Sequence, residues 1–516
     1  MLQKLLTTGQ TPCQSKPKPA NQQLPTNPEI IVVKTEKTVT ETRTSDQYRK
    51  ELKISLCKMV HVVLSIAIFV VAWLYFRYNL VFDPTVRGFR YNYFIIAAYA
   101  AILFFFNRTY SAYLIGYVRI RNLAFAQFLS QFFSACIVYV LTCIGWDHFV
   151  NPLSLIVSLI PAAILDCAWS YYVNLVYFRL YPPKKTILIY RNELDKKRFG
   201  SIKGKPTERL YKITEEFCYD GYSFKAIRDK LKGYEAIFAA GIHSRCRNGI
   251  AKYCKEEGIP GFFLPHVGDV IMHEAEHIKS FDSPVLLVER KVLNPEYAVA
   301  KRALDIFASG IALIILSPVL LITALVIHFY DGGPALYKQT RLTQNGREFK
   351  ILKFRSMRVD AEKDGVARLS TGENDDRITP VGRFIRKCRL DELPQLWNIF
   401  VGDMSLVGPR PERPEIAEQY YQYMPDFKLR LQVRAGLTGY AQVYGKYNTD
   451  PYEKLEFDLL YIGNMNFLTD LQLIFATFGI LFLPESTEGV AVGATTAMDY
   501  ENTADSTEND AETVTK

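Results

Sequence analysis

Long apolar runs constrain the fold of this 516-residue chain more than any other feature of its sequence. Four of them lie near its start, at about 56–78, 91–107, 125–146 and 153–178, and a fifth occupies residues 301–330. A bilayer offers backbone groups no hydrogen-bond partners, so a run of about 20 apolar residues that enters it must form a helix. The second run is the shortest. We therefore predict an α-helical transmembrane bundle of four helices over residues 51–183.

Lys and Arg side chains indicate which side of the membrane each loop faces. They occur between the second and third runs and after the fourth: Arg108, Arg119, Arg121, Arg179, Lys184 and Lys185. The loop between the third and fourth runs contains neither residue type. Because basic loops stay in the cytoplasm, both ends of the bundle should be cytoplasmic. Asp166, an acid within the fourth run, is expected to pair with a polar side chain inside the bundle.

Residues 184–292 change to short apolar runs that alternate with polar ones. Four of these runs have strand character, at 186–190, 236–242, 261–265 and 284–290. Strands alternating with helical segments predict a small α/β domain, which we describe as Rossmann-like. The first strand is followed by RNELDKKRF, without the glycines that let a backbone approach a pyrophosphate. We therefore do not expect NAD binding.

The fifth apolar run contains Ser317 and Pro318 near its middle. Pro removes a backbone donor and clashes with the preceding turn, so the helix at 303–329 can break there and return to the side it entered. Lys301 and Arg302 begin the run, and basic residues also follow it, which favours one side for both ends. A Pro-kinked ordinary span is the alternative.

Two adjacent carboxylates, Asp391 and Glu392, lie just before Pro394. Pro favours the first turn of a helix, so the pair should lie where a turn becomes a helix and where both side chains can reach one ligand. Six cations surround the pair in the sequence: Arg377, Arg383, Arg386, Lys387, Arg389 and Arg410. This set suits a site for Mg²⁺ and several phosphates, because Mg²⁺ takes few protein carboxylates and shares substrate oxygens. A solvated, salt-bridged helix start is the alternative.

The two ends of the chain differ from its middle. Residues 1–50 are polar and rich in Thr, Lys and Pro, and residues 485–516 contain eight acids and one Lys, so we expect both to be disordered. The net charge is nevertheless +9, which suits a membrane surface or phosphorylated substrates. The basic residues accompany apolar runs rather than a nucleic-acid reading motif, and we expect no nucleic-acid partner.

One further motif has the spacing of a zinc site. His273, Glu274 and His277 form HEAEH, which matches the H-E-x-x-H pattern in which two histidines share one helix face. No third ligand is evident in the sequence, so a zinc site here is the weaker of two interpretations. A structural role for these residues is the stronger one.

Three stretches carry a resemblance to a known family. They are KFRSMR at 353–358, RKCRLDELPQLWNIFVGDMSLVGPRPERP at 386–414 and VRAGLTGYAQVYGK at 433–446. They resemble the bacterial sugar transferases, which are polyprenyl-phosphate hexose-1-phosphate transferases with a mainly α catalytic domain and a re-entrant helix broken at Ser-Pro. The resemblance covers about 301–482 and implies a catalytic domain over 293–484. Family patterns often have Trp and Asn where this chain has Tyr440 and Tyr444, a departure that bears on sugar recognition.

The resemblance also implies a reaction and roles for particular residues. Asp391 would be the nucleophile, and with Glu392 it would bind Mg²⁺. Substrate binding is expected from a larger set: Lys353, Arg355, Arg377, Arg386, Pro409, Arg410 and Gln442. The implied partners are a UDP-sugar, polyprenyl phosphate and the bacterial cell membrane, with the catalytic domain cytoplasmic, and a homo-oligomer is compatible with them. Two alternatives stay open: direct attack by the lipid phosphate, and a non-catalytic membrane scaffold of a polysaccharide assembly complex.

Overall fold

A computed structural model of the chain describes residues 33–79, 90–147, 149–193, 195–196, 206–219, 221–278, 285–290, 293–358, 377–445 and 450–481. The segment predicted to be an acidic disordered tail, 485–516, lies outside these residues, as does the start of the predicted N-terminal tail. Most of the described chain is helical, and the strands form four separate sheets.

Four helices precede the first strand. They are α1 (Val33–Asn79), α2 (Arg90–Thr109), α3 (Ile120–Trp146) and α4 (Leu153–Leu180). Among the described residues, four helical segments are long and apolar enough to cross a membrane: Asp46–Tyr75, Ile120–Trp146, Leu155–Leu180 and Pro295–Tyr330. Three of these coincide with predicted spans. The predicted second span forms α2 but is not among the four, because its apolar stretch is short and flanked by polar residues.

The first helix begins inside the segment that was predicted to be disordered. Residues 33–50 are helical, which corrects the predicted boundary at residue 50 for this part of the chain. Their composition explains the difference, because Lys, Glu, Arg and Gln are good helix formers even without an apolar face. The Asp46 carboxylate also lies 2.8 Å from Lys50 Nζ, one helical turn later.

A buried polar cluster joins three elements of the bundle through Asp166. The Asp166 Oδ1 atom accepts hydrogen bonds from Gln131 Nε2 at 2.7 Å and contacts His61 Nε2 at 2.9 Å. The other ring nitrogen of His61 lies 2.9 Å from the hydroxyl of Tyr113. Asp166 and His61 are both almost fully buried. The prediction that Asp166 pairs inside the bundle is confirmed.

A four-stranded parallel sheet follows the bundle, in the order β2-β1-β3-β4. Its strands are β1 (Lys184–Tyr190), β2 (Tyr211–Cys218), β3 (Ala236–Ala240) and β4 (Gly261–Phe263), with helices α5 (Phe224–Ile227) and α6 (Ser244–Glu257). The centre of the sheet is apolar because Ile187, Ile189 and Ile237 are fully buried against α6. A small α/β unit is therefore present, while its more specific description as Rossmann-like stays a prediction.

The remaining elements form the region that contains the dyad. In chain order they are α7 (Val267–Glu274), β5 (Glu276–Ile278), β6 (Val285–Leu287), α8 (Pro295–Asp331), β7 (Leu336–Leu342), β8 (Glu348–Phe354), α9 (Pro380–Lys387), α10 (Gln395–Val401), β9 (Ser405–Val407), α11 (Pro414–Tyr423), β10 (Gly436–Thr438), α12 (Tyr440–Tyr444), α13 (Pro451–Gly463) and α14 (Phe467–Leu481). Strands β7 and β8 form an antiparallel hairpin, and β9 pairs in parallel with β10.

Helix α8 contains the predicted break at Ser317 and Pro318. The helix runs from Pro295 to Asp331 with Pro318 inside it, so the break does not appear as an interruption of the helix. The Ser317 hydroxyl donates to the carbonyl of Ile314 at 2.7 Å, a local bond that satisfies the hydroxyl in apolar surroundings. The return of the chain to its entry side stays a prediction.

The predicted domain boundary at residue 292 separates elements that share a core. Val267 and Val270 on α7 are buried in one hydrophobic cluster with Leu455 and Leu459 on α13. The backbone N–H of Val267 also donates to the Tyr452 hydroxyl at 3.1 Å. Helix α7 therefore packs as part of the region that contains the dyad, although it lies before residue 293 in the sequence.

Candidate active site

The carboxylate dyad lies at a junction between two helices, as the sequence predicts. Helix α9 ends at Lys387, and Arg389 then adopts the left-handed conformation with φ 52° and ψ 23°. A single 3₁₀ turn, Leu390–Glu392, follows, and Pro394 begins the path into α10. A non-glycine residue in the left-handed region costs free energy, and such residues are concentrated at functional sites. The sharp turn places Asp391 and Glu392 between the two helices.

Glu392 is held by three cations. Its Oε1 atom accepts from Arg410 Nη2 at 2.7 Å and from Lys353 Nζ at 3.3 Å, while Oε2 lies 3.8 Å from Arg389 Nη1. Only 13% of its side chain is exposed. Burial opposes the charge of this carboxylate, but the surrounding cations outweigh burial and hold its pKa below the ordinary range. Glu392 is therefore anionic at neutral pH.

Asp391 is shifted in the opposite direction. Burial and the neighbouring charge of Glu392 raise the pKa of Asp391 from its ordinary value of 3.8 to about 6, against the attraction of nearby cations. Adjacent carboxylates with opposite pKa shifts are typical of sites where the two groups have different chemical roles. Glu392 therefore stays charged at neutral pH, whereas the pKa of Asp391 lies close enough to neutral pH for this carboxylate to gain or lose a proton.

Arg410 is presented by a tight loop after β9. The backbone N–H of Gly436 donates to the carbonyl of Pro409 at 2.8 Å, and Gly408 N–H donates to Thr438 at 2.8 Å. A Cβ atom on Gly436 would lie only 2.0 Å from the backbone nitrogen of Gly408. The loop therefore requires glycine where the two strands end, and Pro409 fixes the turn from which Arg410 reaches the dyad.

The other predicted cations lie on neighbouring segments. Arg386 donates from Nε to the Ser356 hydroxyl at 3.0 Å and favours the charged form of Asp391. Arg355 is buried beside Ser356, and its backbone N–H donates to Ala335 at 2.9 Å. Arg377 accepts a hydrogen bond from Arg358 at its carbonyl, where the two segments pair. Of the predicted cations, Lys353, Arg389 and Arg410 thus contact Glu392 and Arg386 lies near Asp391, whereas Arg355 and Arg377 lie on the adjoining segments.

Gln442 lies beside the Gly408 loop on the short helix α12. Its amide oxygen and nitrogen are both buried, and neither has a hydrogen-bond partner among the described residues. A Cβ atom on Gly439 would lie 2.9 Å from the amide oxygen and 2.4 Å from the carbonyl of Gly408. Gln442 therefore packs behind the loop that presents Arg410, and its predicted contact with substrate stays a prediction.

The zinc interpretation of HEAEH is wrong. His273 lies in the last turn of α7, whereas His277 lies on β5, because Ala275 adopts an extended conformation that ends the helix. The two histidines therefore do not share a helix face. Among the residues that the structure describes, no three His, Cys, Asp or Glu side chains form a group that could hold a metal ion.

Sequence reasoning missed two residues behind the loop, Arg430 and Asp458. Both are almost fully buried. The available signal was the position of Asp458 on α13, three residues after the buried Leu455 and therefore on the apolar face of the helix. A charged residue on such a face requires a partner, and here the partner is Arg430.

Comparisons with known proteins identify the family of the region that contains the dyad. The sequence profile described as bacterial sugar transferase matches residues 296–484. An exopolysaccharide production protein of Rhizobium leguminosarum is 43% identical over 188 residues, which are 35% of this chain and 93% of that protein. These findings show that the chain belongs to the bacterial sugar transferase family.

Two further relatives carry more specific names. A UDP-N-acetylgalactosamine-undecaprenyl-phosphate N-acetylgalactosaminephosphotransferase of Aeromonas hydrophila is 41% identical over 187 residues, 36% of this chain and 44% of that protein. A UDP-glucose:undecaprenyl-phosphate glucose-1-phosphate transferase of Klebsiella pneumoniae is 41% identical over 202 residues, 38% of this chain and 41% of that protein. The matches thus span less than half the length of these two relatives.

Proposed function

We propose that this chain transfers a sugar 1-phosphate from a UDP-sugar to polyprenyl phosphate, as the first membrane step of exopolysaccharide or capsule synthesis. The products are UMP and a polyprenyl diphosphate sugar. The observation that carries the proposal is the contrast within the dyad, where Glu392 is held by cations and Asp391 has a pKa near 6. The names of the relatives supply the two substrates.

The proposed reaction has two displacement steps at one phosphorus atom. In the first, a carboxylate oxygen of Asp391 forms a bond to the β-phosphorus of the UDP-sugar. The bond from that phosphorus to the bridging oxygen breaks, and UMP leaves with the bridging oxygen. In the second, an oxygen of polyprenyl phosphate attacks the same phosphorus, and the Asp391 carboxylate leaves. Phosphoryl transfer depends mainly on positioning and charge neutralisation, which the cations around the dyad would supply.

The donor set of the dyad fits Mg²⁺. Two adjacent carboxylates, with no third metal-binding side chain beside them among the described residues, are typical for this ion, which completes its coordination with water and substrate phosphates. When bound, the ion would neutralise diphosphate charge next to the dyad. Arg410 and Lys353 hold Glu392 in place through direct contacts with its carboxylate. Arg386 would add positive charge for the phosphates.

The packing of α8 supports placing the site at a membrane surface with both helix ends on one side. Arg302, near the start of α8, donates to the carbonyls of Ile399 and Phe400 at 2.8 Å each. Ile327, near its end, is buried against Phe354 and Ile385. Both ends therefore contact the region that holds the dyad, while apolar side chains such as Ile314 are 76% exposed on the other face. We place this region on the cytoplasmic side of a bacterial cell membrane.

A single-turnover experiment tests the mechanism. Protein mixed with a UDP-sugar and Mg²⁺ but no lipid acceptor should release at most one UMP per site and should carry a phospho-sugar on Asp391, detected by mass spectrometry. Asp391→Asn should do neither, because the amide is a poor nucleophile of the same size. Glu392→Gln should retain the adduct at a lower rate. UMP release that strictly requires the lipid, with no adduct, would instead support direct attack by the lipid phosphate.

The scaffold alternative predicts a different outcome. A non-catalytic assembly protein would show no UMP release with any member of a panel of UDP-sugars in the presence of polyprenyl phosphate and Mg²⁺. The three cations that contact Glu392 beside a second carboxylate favour a phosphate-binding site over that alternative. The panel would also identify the sugar.

A further inference from the structure

A buried ion pair lies directly behind the loop that carries Arg410. Arg430, on a 3₁₀ segment (Pro425–Gln432), donates to Asp458 Oδ2 from Nε at 2.8 Å, and its Nη2 atom lies 2.7 Å from the same oxygen. The side chains of Arg430 and Asp458 are 4% and 1% exposed. The same Nη2 atom donates to the backbone carbonyl of Arg410 at 2.8 Å. Arg430 therefore connects α13 to the main chain of the loop.

The next residue of the loop is held in a similar way. Arg341, at the end of β7, donates from Nη1 to the carbonyl of Pro411 at 3.2 Å. The carboxylate of Glu412 lies between the two arginines, 3.9 Å from Arg341 and 3.7 Å from Arg430. Two consecutive carbonyls of the loop thus accept hydrogen bonds from arginines, of which Arg430 is buried and Arg341 is partly buried. Such contacts fix the main chain rather than the side chain of Arg410.

We propose that Arg430 and Asp458 are positioning residues, which hold the main chain of Arg410 so that its guanidinium meets Glu392. The connection is continuous: Asp458 holds Arg430, Arg430 holds the Arg410 carbonyl, and Arg410 Nη2 holds Glu392 at 2.7 Å. Charge-assisted hydrogen bonds are stronger than neutral ones and depend on geometry, so Asp458 orients the fork of Arg430. This inference rests on the proposed function for its catalytic readout.

The obvious alternative is that the pair only stabilises the fold. Breaking a buried ion pair commonly destabilises a protein, so loss of activity alone would not distinguish the two roles. A positioning role makes the effect of Asp458 depend on Arg410, whereas a purely structural role does not. Arg410→Ala removes the side chain that is being positioned and leaves the backbone carbonyl in place.

A double-mutant cycle in the full chain makes this distinction. We expect Asp458→Asn to lower kcat/KM about 10-fold to 100-fold, the range for a weakened hydrogen bond to a charged group. In the Arg410→Ala background the same change should cost less than about 3-fold, because residues that act through one another are not additive. Asp426→Asn, an exposed residue near Arg430, is the matched control and should change nothing. An equal loss in both backgrounds would overturn the positioning role.

A second measurement does not depend on turnover. Hydrogen exchange followed by mass spectrometry should show faster exchange in the peptide covering residues 405–413 for Asp458→Asn and for the charge-preserving Arg430→Lys, but not for the Asp426→Asn control. Unchanged exchange in folded variants would overturn the inference, even if UMP release by the wild-type chain is normal. Absence of UMP release from the wild-type chain, with the exchange result as expected, would instead refute only the proposed function.

Discussion

Acid should inactivate the first half-reaction of the proposed mechanism below about pH 6. The pH at which the rate has fallen to half its maximum is the acidic limit, and a substitution beside Asp391 should move it. The proposed mechanism requires the ionised form of Asp391, whose pKa is raised to about 6. At pH 5 about one tenth of the groups would be ionised, and the rate should fall about 10-fold for each further pH unit. An aspartate with its ordinary pKa of 3.8 would lose little activity at pH 5.

Two variants should move the acidic limit in opposite directions. Glu392 raises the pKa of Asp391 by its negative charge, so Glu392→Gln should shift the limit to lower pH even though it slows the reaction. Arg386 lowers the pKa of Asp391, so Arg386→Gln should shift the limit to higher pH. A unit charge within a few ångströms at a partly buried site changes the pKa by about one unit, and we expect shifts of about that size.

The assay is the initial rate of UMP release without lipid acceptor. Omitting the acceptor matters because a phosphate monoester itself titrates near pH 6 and would mask the protein group. Rates are measured at fixed Mg²⁺ between pH 4.5 and 8.5, and folding is checked by circular dichroism. The pH at which the rate falls to half its maximum is then obtained separately from the maximal rate itself. Raising the Mg²⁺ concentration should move the limit to lower pH, since a bound cation favours the carboxylate. If the limit stays fixed or moves in one direction in both variants, Asp391 is not the titrating group.

Two predictions concern stability. Asp166→Leu should lower the free energy of unfolding of the full chain in detergent by about 3 kcal/mol, because it leaves His61 buried without its carboxylate partner. Combining it with His61→Leu should recover part of this loss. A double variant less stable than Asp166→Leu alone would contradict this account. Val270 on α7 is 2% exposed, and Val270→Ala should lower the temperature of half-inactivation of transferase activity. Met272 on the same helix is 50% exposed, and Met272→Ala should leave that temperature unchanged. Equal effects of the two changes would show that the packing of α7 does not stabilise the region that contains the dyad.

The sequence predicts most of the site because local chemistry determines it. The position of Pro394 after two acids is enough to predict a turn that leads into a helix, and Glu392 contacts Lys353 and Arg410, which lie 39 and 18 residues away in the sequence. The bundle is also predictable, since apolar length alone indicates membrane helices. The pairing of Asp166 follows from the cost of burying a charge.

The features that were missed depend on contacts between distant parts of the chain. Arg430 and Asp458 are 28 residues apart, and no local pattern indicates that they meet behind the Arg410 loop. The packing of α7 on α13 joins residues about 185 positions apart, so a boundary drawn from composition separates elements that share a core. The weaker interpretation of HEAEH fails for a local reason, because Ala275 ends the helix after His273 and no cap signal in the sequence marks that end.

Helix α8 connects membrane association to the geometry of the dyad. Its middle, through Leu313 and Leu316, packs against Ile351 on β8 and Leu396 on α10, and its end packs against Leu390, the residue before Asp391. Lys353 on β8 and Glu392 before α10 therefore both belong to elements that pack against the same apolar helix. Its exposed apolar face suits lipid, and in the proposed arrangement the dyad would lie close to the bilayer surface. In the proposed reaction this arrangement brings the phosphate of a lipid-anchored acceptor to Asp391 without removing its chain from the membrane.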